Sequence, residues 1–286
     1  MAARKVPSVP QRVLAAELER RRAAAGLSRD QVAAELEWSV VKPYRIETAR
    51  VSVSAGDVRE LARMYHLSDA DTEALVALAR QARRPGWWKG MEQALPEGFS
   101  VHLELESTAR AIRTYEAQFV PGLWQTEDYA RAVLAANYVT AAPGHVEQQI
   151  NVRMRRQQIL TRQDPPPPAI WAILDEAVIR RLVGGRTVMR AQLRRLRDAS
   201  ADPGVTLQIL SFAAGAHMAA YGSFALFDPH YPSWPVTASS DRPAGNLIED
   251  DPADIERYTL MFDHLRASSL STAETASLID ETIELL

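Results

Sequence analysis

The stretch LSRDQVAAELEWSVVKPYRIETAR, from Leu27 to Arg50, constrains this chain more than any other. Ser28 stands where a helix N-cap is needed, and Val32, Ala33 and Leu36 follow at helical spacing on one face. Ser39 is a second candidate cap, for a short helix running to about Glu47. Two such helices, only a few residues apart, have to cross closely. Ala33 supplies the small residue that a close crossing requires, and Val32, Leu36, Trp38 and Ile46 fall where the pair must bury apolar surface. On the N-terminal side, Pro10 opens a helical pattern carrying Leu14 and Leu18, which Gly26 ends. On the other side come patterns with Val58, Leu61, Ala62 and Tyr65, and with Leu75, Leu78 and Ala79 after Ser68-Asp69. The expectation is a five-helix bundle filling residues 1–82.

This arrangement is that of a helix-turn-helix, and it resembles the XRE class of repressors, which are related to the phage repressors, over about the first 70 residues. The resemblance implies a lambda-repressor-like, all-α DNA-reading domain. In such a motif the second helix lies in the major groove and its first residues reach base edges. Val40, Val41, Lys42 and Tyr44 occupy those positions. Lys42 can donate to guanine O6 or N7, whereas the valines can meet only thymine methyls. Arg29, Arg45 and Arg50 are placed to meet phosphates, with solvated surface charge as the plain alternative for each. Three residues depart from the pattern. Pro43 sits early in the recognition helix, at a position usually held by an apolar core residue, and lacks a backbone donor. Glu37 and Ala49 stand where such motifs prefer glycine; at positive φ each would cost roughly 1 kcal/mol.

Charge is divided along the chain. Residues 1–90 carry 16 Lys and Arg against 11 Asp and Glu, while residues 245–286 carry 2 against 10. A basic first part and an acidic tail suit a nucleic-acid-binding module joined to one that avoids nucleic acid. There are no cysteines, which excludes disulfides, thiolate metal sites and cysteine nucleophiles. The N-terminus lacks an apolar signal core and no segment approaches the roughly 20 apolar residues of a membrane span, so the expected location is the cytoplasm.

Residues 83–100, with Arg83-Arg84 and Pro85-Gly86-Trp87-Trp88, read as a junction, and residues 101–286 as a second domain. Helices are expected at about Leu103–Ala117, Thr126–Ala136 and His145–Thr161, then a strand at Ala169–Leu174 beyond the prolines 165–168. Helices at Glu176–Leu182 and Thr187–Ser200 precede strands at Val205–Leu210, Ser223–Phe227, Pro235–Ser239 and Asn246–Ile248. Closing helices near Asp254–Ser268 and Thr272–Leu285 complete an α+β domain with a small mixed or antiparallel sheet. Within it, Arg110 and Arg113 are expected as neighbours on one helix face, grouped with Tyr115 and Glu116 around the bend at Val120-Pro121-Gly122. The group reads either as a site for a carboxylate or phosphate or as a structural Arg–Glu network. Asp175 is expected to cap the following helix, and His217 lies in a loop between strands, as a hydrogen-bonding residue or a ligand group.

The segments ELESTARAIRTYEAQFVPGLWQTEDYARAVL, RMRRQQILTR, ILDEAVIRRLVGG and VTLQILSFAAGAHMAAYGSFALFD, with Pro85-Gly86-Trp87-Trp88 before them, resemble actinobacterial regulators of the WhiJ-like type over nearly the whole chain. That resemblance implies a transcriptional regulator, antitoxin-like, often paired with a small cognate protein, and it implies no catalytic residues and no cofactor. The leading expectation is therefore a sequence-specific, homodimeric DNA-binding regulator of a double-stranded operator, answering through its second domain to a small cognate protein or ligand. The alternative is an antitoxin-like partner-binding protein with little DNA binding, whose acidic stretch around Glu249, Asp250, Asp251 and Asp254 meets a basic partner. An enzyme is not expected, because no phosphate loop, metal constellation or nucleophile elbow occurs.

Overall fold

The computed structural model describes residues 7–84, 86–91, 95–137, 144–230, 235–242 and 245–286; Pro85 of the junction motif lies outside them. The chain divides into two compact units, the first built on residues up to Lys89 and the second on residues from Gly90 onward.

The first unit is a bundle of α1 (Val9–Ala24), α2 (Arg29–Glu35), α3 (Val41–Glu47), α4 (Ala55–Met64) and α5 (Asp69–Arg83). Serines start four of the five: Ser8, Ser28, Ser54 and Ser68 each accept a first-turn backbone N–H. Each such cap is worth about 1 kcal/mol over alanine. At Ser28 and Ser54 the third helical residue, Gln31 or Asp57, bonds back to the cap amide and closes a capping box. The expected cap at Ser39 is corrected. Helix α3 begins after Val40 without a side-chain cap, and it is the Ser39 carbonyl that accepts the Lys42 N–H at 2.8 Å. Pro43 is the third residue of α3 and is buried. First-turn amides have no intrahelical acceptor, so its missing N–H costs little there.

Helices α1 to α4 all end in the same way. The N–H groups of Leu27, Trp38, Arg50 and Leu67 return to the carbonyls of Arg22, Ala33, Arg45 and Ala62 at 2.8 to 3.2 Å. This is the Schellman closure, which requires a left-handed residue just before each of those donors. The residues there are Gly26, Glu37, Ala49 and His66, at φ +70°, +51°, +54° and +54°. Only the first is glycine. The positive φ anticipated for Glu37 and Ala49 is present, and His66 repeats it at a position the sequence pattern did not single out.

The second unit holds a six-stranded mixed sheet in the order β3-β2-β1-β4-β5-β6. Strands β1 (Ala109–Glu116), β2 (Ala169–Asp175) and β3 (Val205–Leu210) run parallel, and β4 (Phe224–Pro229), β5 (Thr237–Arg242) and β6 (Gly245–Glu249) continue antiparallel. Around it lie α6 (Phe99–Thr108), α7 (Glu127–Asn137), α8 (His145–Arg156), α9 (Glu176–Arg180), α10 (Arg186–Ala199), α11 (Pro252–Ser268) and α12 (Thr272–Glu284).

The helix expected over Leu103–Ala117 is the main correction. The chain leaves helix at Thr108 and becomes β1, a central strand between β2 and β4. A central strand buried on both faces lacks the alternation of an edge strand, and its apolar residues mimic helical spacing. Because side chains alternate along a strand, Ile112, Thr114 and Glu116 point to one face and Arg113 and Tyr115 to the other. On the latter face Tyr115 joins Ile173, Phe224, Leu226 and Ala238 in a core closed by Phe262 and Leu265 of α11. Helix α6 lies on the former face, and its start is tied to β6. The Asn246 N–H donates to the Glu97 carbonyl at 2.8 Å, and a Cβ on either Gly98 or Gly245 would lie 2.2 Å from a backbone oxygen of the other segment.

Exposed residues with left-handed backbone leave stability unrealised. Glu37→Gly and His66→Gly are each expected to raise the unfolding free energy of the first unit by about 1 kcal/mol, less the entropy glycine adds to the unfolded chain. Sites this separate combine nearly additively. Denaturant titration of the single and double variants checks both statements; unchanged midpoints would contradict the strain.

Candidate nucleic-acid interface

Helices α2 and α3, joined through residues 36–40, form the helix-turn-helix. Their relative placement is held by one buried carboxylate. Glu47, 7% exposed, accepts Arg22 Nε at 2.6 Å and Nη2 at 3.1 Å, and Arg29 Nε at 2.6 Å. Arg22 Nη1 also donates to the Leu27 carbonyl at 2.6 Å, and Arg29 Nη2 reaches Glu19 at 2.6 Å. One acidic group therefore connects α1, α2 and α3.

The first turn of α3 faces outward. Val40 is 65% exposed and Val41 56%, the two being among the most exposed large aliphatic residues of this unit. Lys42 is restrained: its Nζ lies 2.7 Å from Asp57 Oδ1 and 3.4 Å from the centre of the Trp38 ring. Burial works against the Asp57 carboxylate, but hydrogen bonds from Lys42 and Ser54 outweigh it and hold the group below its ordinary range. Tyr44 lies between two guanidiniums, Arg29 at 5.6 Å and Arg50 at 5.1 Å from its ring centre. Arg45 and Arg50 are exposed. Of the candidate DNA contacts, then, Val40, Val41, Tyr44, Arg45 and Arg50 present themselves to solvent around α3, while Lys42 and Arg29 are engaged by internal carboxylates.

In the second unit the expected grouping of Arg110, Arg113, Tyr115 and Glu116 divides. Arg110 and Arg113 are not helix neighbours, since both lie on β1, where the pairing with β4 is irregular at Arg110. Arg110 is exposed. Arg113 Nε pairs with Asp228 Oδ2 at 3.2 Å across β1 and β4. The Tyr115 hydroxyl lies 3.5 Å from both Asp175 Oδ2 and His217 Nε2, long distances for hydrogen bonds, and the His217 Nδ1 atom is buried without a partner. Burial first, and Asp175 second, push the Tyr115 phenol above its ordinary range. Asp175 caps α9 as expected, accepting the Ala177 N–H at 2.8 Å.

Glu116 faces a different environment, on the α6 side of the sheet. There Arg156 is paired with Glu106 through Nε at 2.6 Å and Nη2 at 2.8 Å, and Nη2 also meets His102 Nε2 at 2.9 Å. Because Nε2 accepts, the proton of His102 belongs on Nδ1, which donates to Ser239 at 3.0 Å. Burial, then the Arg156 charge, keep His102 well below its usual range and therefore neutral. Burial and the neighbouring Asp241 push the Glu116 carboxyl up to about 8. His102, Glu106, Glu116 and Arg156 line an open pocket, about 370 Å³ when the solvent at its mouth is included, walled also by Ile112, Leu123, Trp124 and Phe227. Sequence reasoning reached Glu116 but missed His102, Glu106 and Arg156. Their positions in the chain, up to 54 residues apart, carry no local motif.

Among the described residues no helix is long and apolar enough to cross a membrane. A family model described as a helix-turn-helix domain matches residues 13–75, and one described as a domain of unknown function (DUF5753) matches residues 99–281. No curated protein and no solved structure matches the chain.

The raised Glu116 carboxyl has a consequence for stability. Between the ordinary carboxylate range and about 8 the folded state holds a proton that the unfolded state has released. Stability therefore falls as pH rises through this window, and the contribution is fully present only below it. Melting temperatures measured from pH 5 to pH 9 are expected to decline, and Glu116→Gln to flatten that decline. An identical pH profile in the variant would contradict the assignment.

Proposed function

The chain belongs to the family defined by the DUF5753 domain, and we propose that it serves there as a sequence-specific transcriptional regulator that binds its operator as a homodimer and is controlled through its second unit. The helix-turn-helix domain in front of the family domain supports a DNA-binding regulator. The observation that carries the finer reading is the outward first turn of α3, where Val40 and Val41 expose apolar side chains that no internal core uses.

Base reading by α3 is mainly apolar on this account. Lys42 is satisfied by Asp57 and Trp38, so the first turn offers two valines and the Tyr44 ring to the groove floor. Val40 and Val41 fit thymine methyls. Arg45 and Arg50 supply phosphate contacts that set register and affinity without reading sequence. Control of this activity falls to the second unit, by a ligand or by a small cognate protein of the kind that accompanies WhiJ-like regulators.

The internal pairing of Arg29 and Lys42 gives the antitoxin-like alternative its specific support, because it removes two cations from the DNA-facing set. Under that reading the protein co-purifies with the product of a neighbouring gene and binds DNA only weakly.

Selection from a random pool of double-stranded DNA by the full-length protein separates the two. The regulator reading expects a two-fold-symmetric, thymine-bearing site whose affinity falls steeply with salt. Replacing the contacted thymidines with deoxyuridine should cost about fourfold per methyl, the value of one buried methyl group, and Val40→Ala or Val41→Ala should remove that difference. Arg45→Ala and Arg50→Ala should each lower the salt slope by about one per recognition helix while leaving sequence preference intact. A pool that yields no enriched sequence contradicts the regulator reading. Enrichment without sensitivity to uracil contradicts only the apolar readout.

A further inference from the structure

The pocket on the α6 face of the sheet has a chemistry that neither its family nor its sequence assigns. We propose that it takes a small organic ammonium with an apolar or aromatic body. This gives the ligand-control part of the regulator reading a substance class, and it stands or falls independently of DNA binding by the first unit.

The charges around the pocket come from four elements. Helix α6 brings His102 and Glu106, α8 brings Arg153 and Arg156, β1 brings Glu116 and β5 brings Asp241. Of these, Glu106, Glu116 and Arg156 line the pocket itself, beside the neutral His102, so two carboxyl groups face one guanidinium there. Both guanidiniums already have acceptors. Arg156 is bidentate to Glu106 and bonded to His102, and Arg153 donates to Gln125 Oε1 at 2.7 Å. The Glu106 carboxylate is matched in turn. Glu116 is the lining carboxyl left without a cation, whereas Asp241, outside the lining, accepts Asn246 Nδ2 at 2.8 Å. The hydrogen-bond donors to Glu116 are neutral hydroxyls, those of Ser223 and of Thr114, the latter at 3.3 Å.

Each ligand class meets this arrangement differently. An anion would have to approach Glu106 and Asp241 with Arg156 already neutralised by Glu106. A neutral ligand would leave Glu116 protonated and gain no charge pairing. An ammonium supplies the missing partner, ionises Glu116, and places its body against Leu123, Trp124 and Phe227, where the aromatic faces favour a cation as well as apolar contact. The proton balance is definite. The carboxyl proton of Glu116 passes to the buffer as the ammonium binds, because the folded protein holds that proton up to about pH 8.

Three probes of one shape test the class: benzylammonium, benzyl alcohol and benzoate, each titrated into the full-length protein at pH 7 by calorimetry in two buffers of different ionisation enthalpy. Benzylammonium is expected to bind with release of about one proton, and the alcohol and the carboxylate at least tenfold more weakly. Glu116→Gln, with its melting curve checked, should weaken benzylammonium at least tenfold and abolish proton release. The wild-type proton count tests the idea even if that variant folds poorly. Binding of benzoate or benzyl alcohol as tight as that of benzylammonium would overturn the proposal. So would benzylammonium binding without proton release, or no benzylammonium binding at millimolar concentration.

Discussion

The first unit depends on Glu47. A carboxylate this buried is tolerable only because two guanidiniums meet it, one from α1 and one from α2. Removing one side of such a buried network typically costs about 3 to 5 kcal/mol, since the remaining charges are left uncompensated. The network brings α3 against its neighbours from the inside, with Pro43, Ile46 and Glu47 buried and Val40, Val41, Tyr44, Arg45 and Arg50 exposed. The outward face of α3 is therefore a consequence of how its inward face is fixed.

Internal ion pairs, one of them in this network, decide which cations remain exposed around α3. Arg29 has the spacing of a phosphate contact, but its guanidinium is held by Glu47 and Glu19. Lys42 has the position of a base reader, but Asp57, the residue that closes the α4 capping box, also accepts its ammonium. These pairings lower the number of free positive groups on the recognition face and shift its character toward valine, tyrosine and peripheral arginine. On the proposed reading, α3 discriminates more by methyl contacts and shape than by donated hydrogen bonds.

Much of the first unit was legible in the sequence because its determinants are local. The caps at Ser28 and Ser68, the glycine at the end of α1 and the left-handed positions of Glu37 and Ala49 all follow from residues within a turn of each other. The capture of Lys42 was not legible, since Asp57 is 15 residues away on the next helix but one turn of chemistry distant in space. In the second unit the α+β class and most strands were readable from apolar runs between glycines and prolines. Strand β1 was not, because a strand covered on both faces has no polar side to reveal its period of two. That error carried the site with it: residues expected as one polar group are shared between Asp228, the Tyr115–Asp175–His217 group and the Glu116 pocket.

On the proposed reading, the outward first turn of α3 is the part of this molecule that meets DNA. Amide chemical shifts of the isotopically labelled full-length protein, recorded with and without its selected double-stranded DNA, test it most directly. Perturbations are expected at Val40 to Arg45, at Arg50 and at the start of α2, with the amides around Glu47 keeping their salt-bridged environment. Perturbations confined to residues beyond Gly90, or none at all with a duplex that binds, would contradict it.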